Sequence, residues 1–82
     1  MAIATNEAKK VKKAYGNLKA HRGATNQQTF WGKYGVTQSG GSRYESGREM
    51  DKPLRALMAL HISGAIDDAT LDSAMKVASS KQ

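Results

Sequence analysis

Within TQSGGSRYESGR, residues 37–48, two side chains can recognise flat hydrogen-bonding partners. Gln38 presents a donor and an acceptor side by side, the arrangement that pairs with N6 and N7 of adenine. Arg43 lies five residues further on. Its planar fork fits O6 and N7 of guanine, or the oxygens of a phosphate. Ser39 and Ser42 add hydroxyl donors, and Arg48 supplies a second cation. The stretch also holds three of the chain's eight glycines. Its polar, Gly/Ser-rich character would suit a flexible linker, but groups of this chemistry act only when something rigid holds them.

The surrounding residues supply that rigidity, because the chain reads as five short helices. The first should run from about Asn6 to Ala20, with Thr5 or Asn6 as N-cap. Val11, Ala14, Tyr15 and Leu18 recur at spacings of three, four and seven, one apolar stripe. After HRGAT, Asn26 can cap a helix QQTFWGKY that stops at Gly35. Thr37 can cap the next one, from Gln38 to about Ser46, with Gly47 as its left-handed end. Only Gly35-Val36-Thr37 separates these two, so they form a helix-turn-helix.

Asp51 can cap a fourth helix, with Pro53 tolerated in its first turn. Leu54, Leu57, Met58 and His61 form its inward stripe, and Gly64 ends it. Asp67 caps the fifth, where Ile66 can staple onto Leu71 and the face continues through Met75 and Ala78. The tail SSKQ should fray. The expected fold is all-α, a five-helix bundle in a single domain spanning 1–82, with the motif at about 27–46.

Composition limits the alternatives. At 82 residues, 39% of them hydrophobic, there is room for one small core. Without cysteine there is no disulfide, thiolate metal site or thiol nucleophile. Only His21 and His61 remain for metal or acid–base work, and neither has partners at ligand spacing. No phosphate loop and no nucleophile–His–acid arrangement is present, so neither an enzyme nor a cofactor is expected. No apolar run spans a membrane and the N-terminus lacks a signal segment, which points to a cytoplasmic protein, nucleoid-associated when bound. The net charge of +6 is uneven: residues 1–23 carry +5, residues 24–52 carry +1, and residues 53–82 balance at zero. A basic N-terminal half nominates a polyanion partner.

These residues resemble a known family. Gln27–Tyr44 is similar to the helix-turn-helix of the Cro/CI-type repressors, also called the xenobiotic-response-element family. That motif carries an apolar fourth position, glycine at the ninth, and apolar tenth, fifteenth and eighteenth positions. Phe30, Gly35, Val36, Gly41 and Tyr44 occupy them here. YESGR resembles the family's I-E-x-G-R ending, and Pro53-Leu54 fits the start of its next helix. The resemblance covers about residues 10–66, and its wording is similar to small phage- or plasmid-encoded regulators. Two positions depart from the pattern: Gly41 stands where a branched apolar residue is usual, and Trp31 where alanine is usual. We expect the departures to cancel, the indole filling the space that Gly41 vacates.

The resemblance implies a lambda-repressor-like fold and a DNA-binding repressor of double-stranded palindromic operators, acting as a homodimer. Gln38, Ser39 and Arg43 would read bases. Gln27, Thr37, Ser42, Arg48 and Lys52 would hold the backbone, with the helix 1 lysines and Lys33 secondary. Glu45 is expected to make an internal polar contact, to an arginine. Residues 53–80 would dimerise, since Ile62, Ile66, Leu71, Met75 and Val77 exceed what one thin helix needs for its own packing. Restriction–modification controller proteins and antitoxins share this fold and size. RNA binding is the other class, less favoured because the aromatic platforms of RNA-binding sheets are absent. Gly40 is harder to place. It faces outward, where two adjacent helix-interior glycines cost roughly 1–2 kcal/mol relative to alanine.

Overall fold

The computed structural model describes residues 3–80, and every regular element among them is helical. The helices are α1 Thr5–Gly16, α2 Leu18–Arg22, α3 Gln27–Gly32, α4 Gln38–Glu45, α5 Lys52–Ile62 and α6 Asp68–Ser79. Of the SSKQ tail, Lys81 and Gln82 lie outside the described residues.

Six helices stand where five were expected, because the first divides at Asn17. Gly16 already weakens the helix there. The Asn17 backbone leaves the helical region (φ −152°, ψ 82°), and its side-chain oxygen accepts from the Ala20 amide at 3.1 Å. The amide side chain thus competes with the backbone ladder and restarts the chain as the N-cap of α2. Two further starts differ from expectation. α1 begins at Thr5 behind Ala4, and α5 begins behind Asp51, in both cases without a side-chain capping bond. Three expected caps do form: Asn26 accepts from Thr29, Thr37 from Gly40 and Asp67 from Thr70.

α1 packs on α5, α2 on α4, and α3 on α4. Val11, Ala14 and Leu18 meet Leu54, Met58 and Ile62 in one core, joined by Phe30, Trp31, Tyr34, Met50 and Leu71. α6 closes the core by burying Leu71, with Met75 half-buried behind it. The C-terminal surplus is therefore smaller than the sequence suggested. Ile62 and Leu71 are buried inside the monomer, and Ile66 and Met75 pack against its core. Of the five residues, only Val77 stands out to solvent, 72% exposed, and Leu60 of α5 joins it at 41%.

Candidate nucleic-acid interface

The turn between α3 and α4 is set by Gly35, whose φ of +74° is a left-handed value that L side chains rarely adopt. Val36 and Thr37 follow, and the Thr37 hydroxyl caps α4 by accepting from the Gly40 amide at 3.1 Å. Gly47, at φ +113°, ends the segment.

Inside the motif, α3 and α4 approach closely because Gly41 has no side chain. A Cβ at that position would lie 2.2 Å from Cδ1 and 2.3 Å from Cγ of Trp31. Trp31 is 0% exposed and its indole fills the site. The two departures from the motif are thus one exchange of volume between helices. Tyr44 packs its ring 5.6 Å from the indole, while Phe30 and Tyr34 stand edge-on to it at 5.2 and 6.4 Å.

Glu45 fixes the far end of α4. Its Oε2 accepts from Arg22 Nε and from Trp31 Nε1, both at 2.8 Å. Its Oε1 accepts from Arg22 Nη2 at 3.0 Å and from Gln27 Nε2 at 3.2 Å. The carboxylate is 5% exposed and the guanidinium side chain 14%. Hydrogen bonding from Arg22, then from Trp31 and Gln27, holds the Glu45 carboxyl down at about 2 despite the opposing effect of burial. One anion so joins α2, α3 and α4. The expected arginine contact is present, and the partner is Arg22.

A second polar chain runs behind the motif. Burial, reinforced by Asp68 and Tyr15, pushes the Tyr34 phenol up to about 12. The phenol therefore stays protonated, and its oxygen is hydrogen-bonded to His61 Nδ1 at 2.8 Å. His61 Nε2 lies 2.6 Å from Asp68 Oδ1, to which it donates. This ties the end of the first motif helix to α5 and α6, with His61 at the edge of the core.

Held this way, α4 turns Gln38, Ser39 and Arg43 to solvent, and all three are exposed. Ser39 and Arg43, four residues apart, share the outer face. Thr37, Arg48 and Lys52 are exposed as well, whereas Ser42 and Gln27 are half-buried. Among the described residues, the side chains of Gln38, Ser39, Arg43, Arg48 and Lys52 are in none of the hydrogen bonds that stabilise the fold. Gln27 differs from expectation, since one N–H of its amide is given to Glu45. Its second N–H and the free amides of the first turn of α3 remain for a phosphate. The Thr37 oxygen accepts the capping bond, which leaves its own proton to donate.

Sequence reading missed Arg22, which sits 23 residues from Glu45 with no local pattern to reveal the pair. It also missed Arg55. The Arg55 guanidinium lies over the Tyr15 ring, 5.5 Å from the centroid, while the Tyr15 hydroxyl donates to the Arg55 carbonyl.

Two helices at this turn, a capped second helix with free polar groups outward, and an anchored inner face define a helix-turn-helix regulator. Comparison with protein families agrees: the sequence model of the RsaL-like helix-turn-helix domain matches residues 21–61. The chain belongs to that family. The match runs from His21 through α3 and α4 to His61, taking in the whole motif and nearly all of α5. Searches of curated proteins and of solved structures return no match. No helix among the described residues is long and apolar enough to cross a membrane.

Proposed function

We propose that the protein is a sequence-specific transcriptional repressor that binds a palindromic operator as a homodimer and occludes a promoter. One observation carries this reading. The outer face of α4 is free for a ligand, while its inner face is spent on holding the motif together through Gly41, Tyr44 and Glu45.

In this reading α4 enters the major groove of B-DNA with its N-terminal residues against the base edges. Gln38 pairs with an adenine and Arg43 with a guanine, with Ser39 in support. Arg48, Lys52, Thr37, Ser42 and Gln27 fix the register through phosphates. Two copies place their recognition helices about 34 Å apart on successive turns of one DNA face. The C-terminal helices, residues 53–80, supply the contact between copies, with exposed Val77 and Leu60 as its apolar part. The setting is the cytoplasm, with the protein at the nucleoid when bound.

The test is binding of the purified protein to DNA from upstream of its own gene, against a scrambled duplex at the same salt. The reading expects tighter binding to the upstream DNA and a footprint with two-fold symmetry. Equal affinity for both duplexes would sink it.

A further inference from the structure

Two shallow grooves share Lys10 and His21, the first along α1 and α2, the second passing from them to α3 and α5. The first is also lined by Lys13, Ala14, Asn17 and Ala20, of which Ala14 is buried and the others exposed. The second crosses Phe30 and Ile62 and reaches Lys33. Lys10, Lys13, His21 and Lys33 are all exposed. Among the described residues none of these lysines is in an ion pair, and no carboxylate lines either groove. Asp68 and Asp72 adjoin Lys33 only in a separate groove beyond it.

The His21 ring and the Lys33 ammonium meet at Phe30. The His21 ring stands edge-on to Phe30 with centroids 5.9 Å apart, and the Lys33 ammonium lies 5.7 Å from the Phe30 centroid. Burial, then Lys10, His61 and Lys33, hold the His21 imidazole below its ordinary value. Arg22 and His61 in the second groove are paired with Glu45 and Asp68, which leaves Lys10, Lys13 and Lys33 as the cations without an ion pair among the described residues. None of Gln38, Ser39, Arg43, Arg48 or Lys52 lines either groove.

We propose that this track docks an acidic, amphipathic segment of a partner protein, on a surface separate from α4. Carboxylates on the segment meet Lys10, Lys13 and Lys33. Its apolar side chains lie on exposed Ala20 and the aliphatic stems of the lysines beside it, apolar surface that a phosphate backbone would leave wet. Base stacking is not served there, because Phe30 is buried and offers no open ring face. The proposal goes beyond the operator reading and does not depend on it, since the track is occupied whether or not α4 is on DNA.

The experiment uses the intact protein and a short fluorescein-labelled peptide of glutamates interspersed with leucines, beside an all-glutamate peptide of equal length. Binding is read by anisotropy at about 0.15 M ionic strength, where exposed charges are screened beyond about 8 Å. Lys10→Glu with Lys33→Glu should weaken the glutamate–leucine peptide about tenfold or more. Lys12→Glu with Lys19→Glu changes the net charge equally, outside both grooves, and should cost less than about threefold. Far-ultraviolet circular dichroism checks that both variants are folded. Equal losses in the two variants would overturn the proposal, as would equal binding of the two peptides. Displacement of the peptide by a random duplex would assign the track to nucleic acid instead. Loss of self-association in the Lys10/Lys33 variant alone would assign it to a second copy.

Discussion

Gly41 and Trp31 occupy one volume between them. The position where a Cβ would stand on α4 lies 2.2 Å from an indole carbon of α3. Close approach of the two motif helices therefore depends on glycine at one place and tryptophan at the other. Gly41→Ala puts a methyl group into a rigid, fully buried ring and should destabilise the fold by about 1–3 kcal/mol, despite alanine's better helix propensity. Gly41→Ile should cost at least as much. Trp31→Leu opens space, so Gly41→Ala should be less costly in that background. Urea unfolding of the two single variants and the double variant measures the coupling, and strict additivity would show that the pair does not interact.

Glu45 gives stability a pH dependence of defined sign. Its folded carboxyl titrates at about 2, against an ordinary 4.5. The folded state therefore binds this proton less readily than the unfolded chain does. The contribution is complete above the unfolded value and is lost as pH falls from about 4.5 towards 2. Glu45→Gln removes the anion and leaves Arg22 short of a partner, a loss of about 1–3 kcal/mol near neutral pH. Unfolding curves at several pH values should show wild type and variant converging as acid is added. A constant gap down to low pH would contradict the assignment.

Reading and anchoring should separate in DNA binding. Gln38→Ala and Arg43→Ala should each lose about 1–3 kcal/mol of discrimination between operator and scrambled duplex. Arg48→Ala should weaken both duplexes alike and reduce the slope of log K against log salt by about one unit. Salt titrations on both duplexes distinguish the two patterns.

Gly40 has a local explanation that its outward position concealed. An added Cβ would stand 3.2 Å from the Thr37 hydroxyl that caps the helix and 3.2 Å from a Val36 methyl group. Gly40→Ala should therefore fall short of the roughly 1 kcal/mol that alanine gains elsewhere in helices. In a Val36→Ala background one of those contacts is relieved, and the substitution should become more favourable. Thermal melts of the four combinations check this.

What could be read in the sequence and what could not divide along a physical line. The motif was legible because its signals are local: caps at Asn26 and Thr37, a three-residue turn, and glycine at 35 and 47. The volume exchange was legible because two departures from one pattern fell on facing positions. The break at Asn17 was not, since an asparagine after a glycine is tolerated within a helix and only the backbone angles show the restart. Arg22–Glu45 and Tyr34–His61–Asp68 join residues across several helices, so no spacing announces them. The C-terminal apolar residues misled because composition does not distinguish a residue that closes its own core from one that meets a partner. Leu71, 2% exposed, closes its own core, whereas Val77, 72% exposed, stands out to solvent.

Six of the eight residues of α4 fall into two groups that share no side chain. Gly41, Tyr44 and Glu45 fasten the helix, and Gln38, Ser39 and Arg43 carry no part of that attachment. The reading surface can therefore be rewritten without disturbing the scaffold beneath it. Under the proposed function, target preference can change through Gln38, Ser39 and Arg43 with little effect on folding, whereas Gly41, Tyr44 and Glu45 are tied to Trp31 and Arg22.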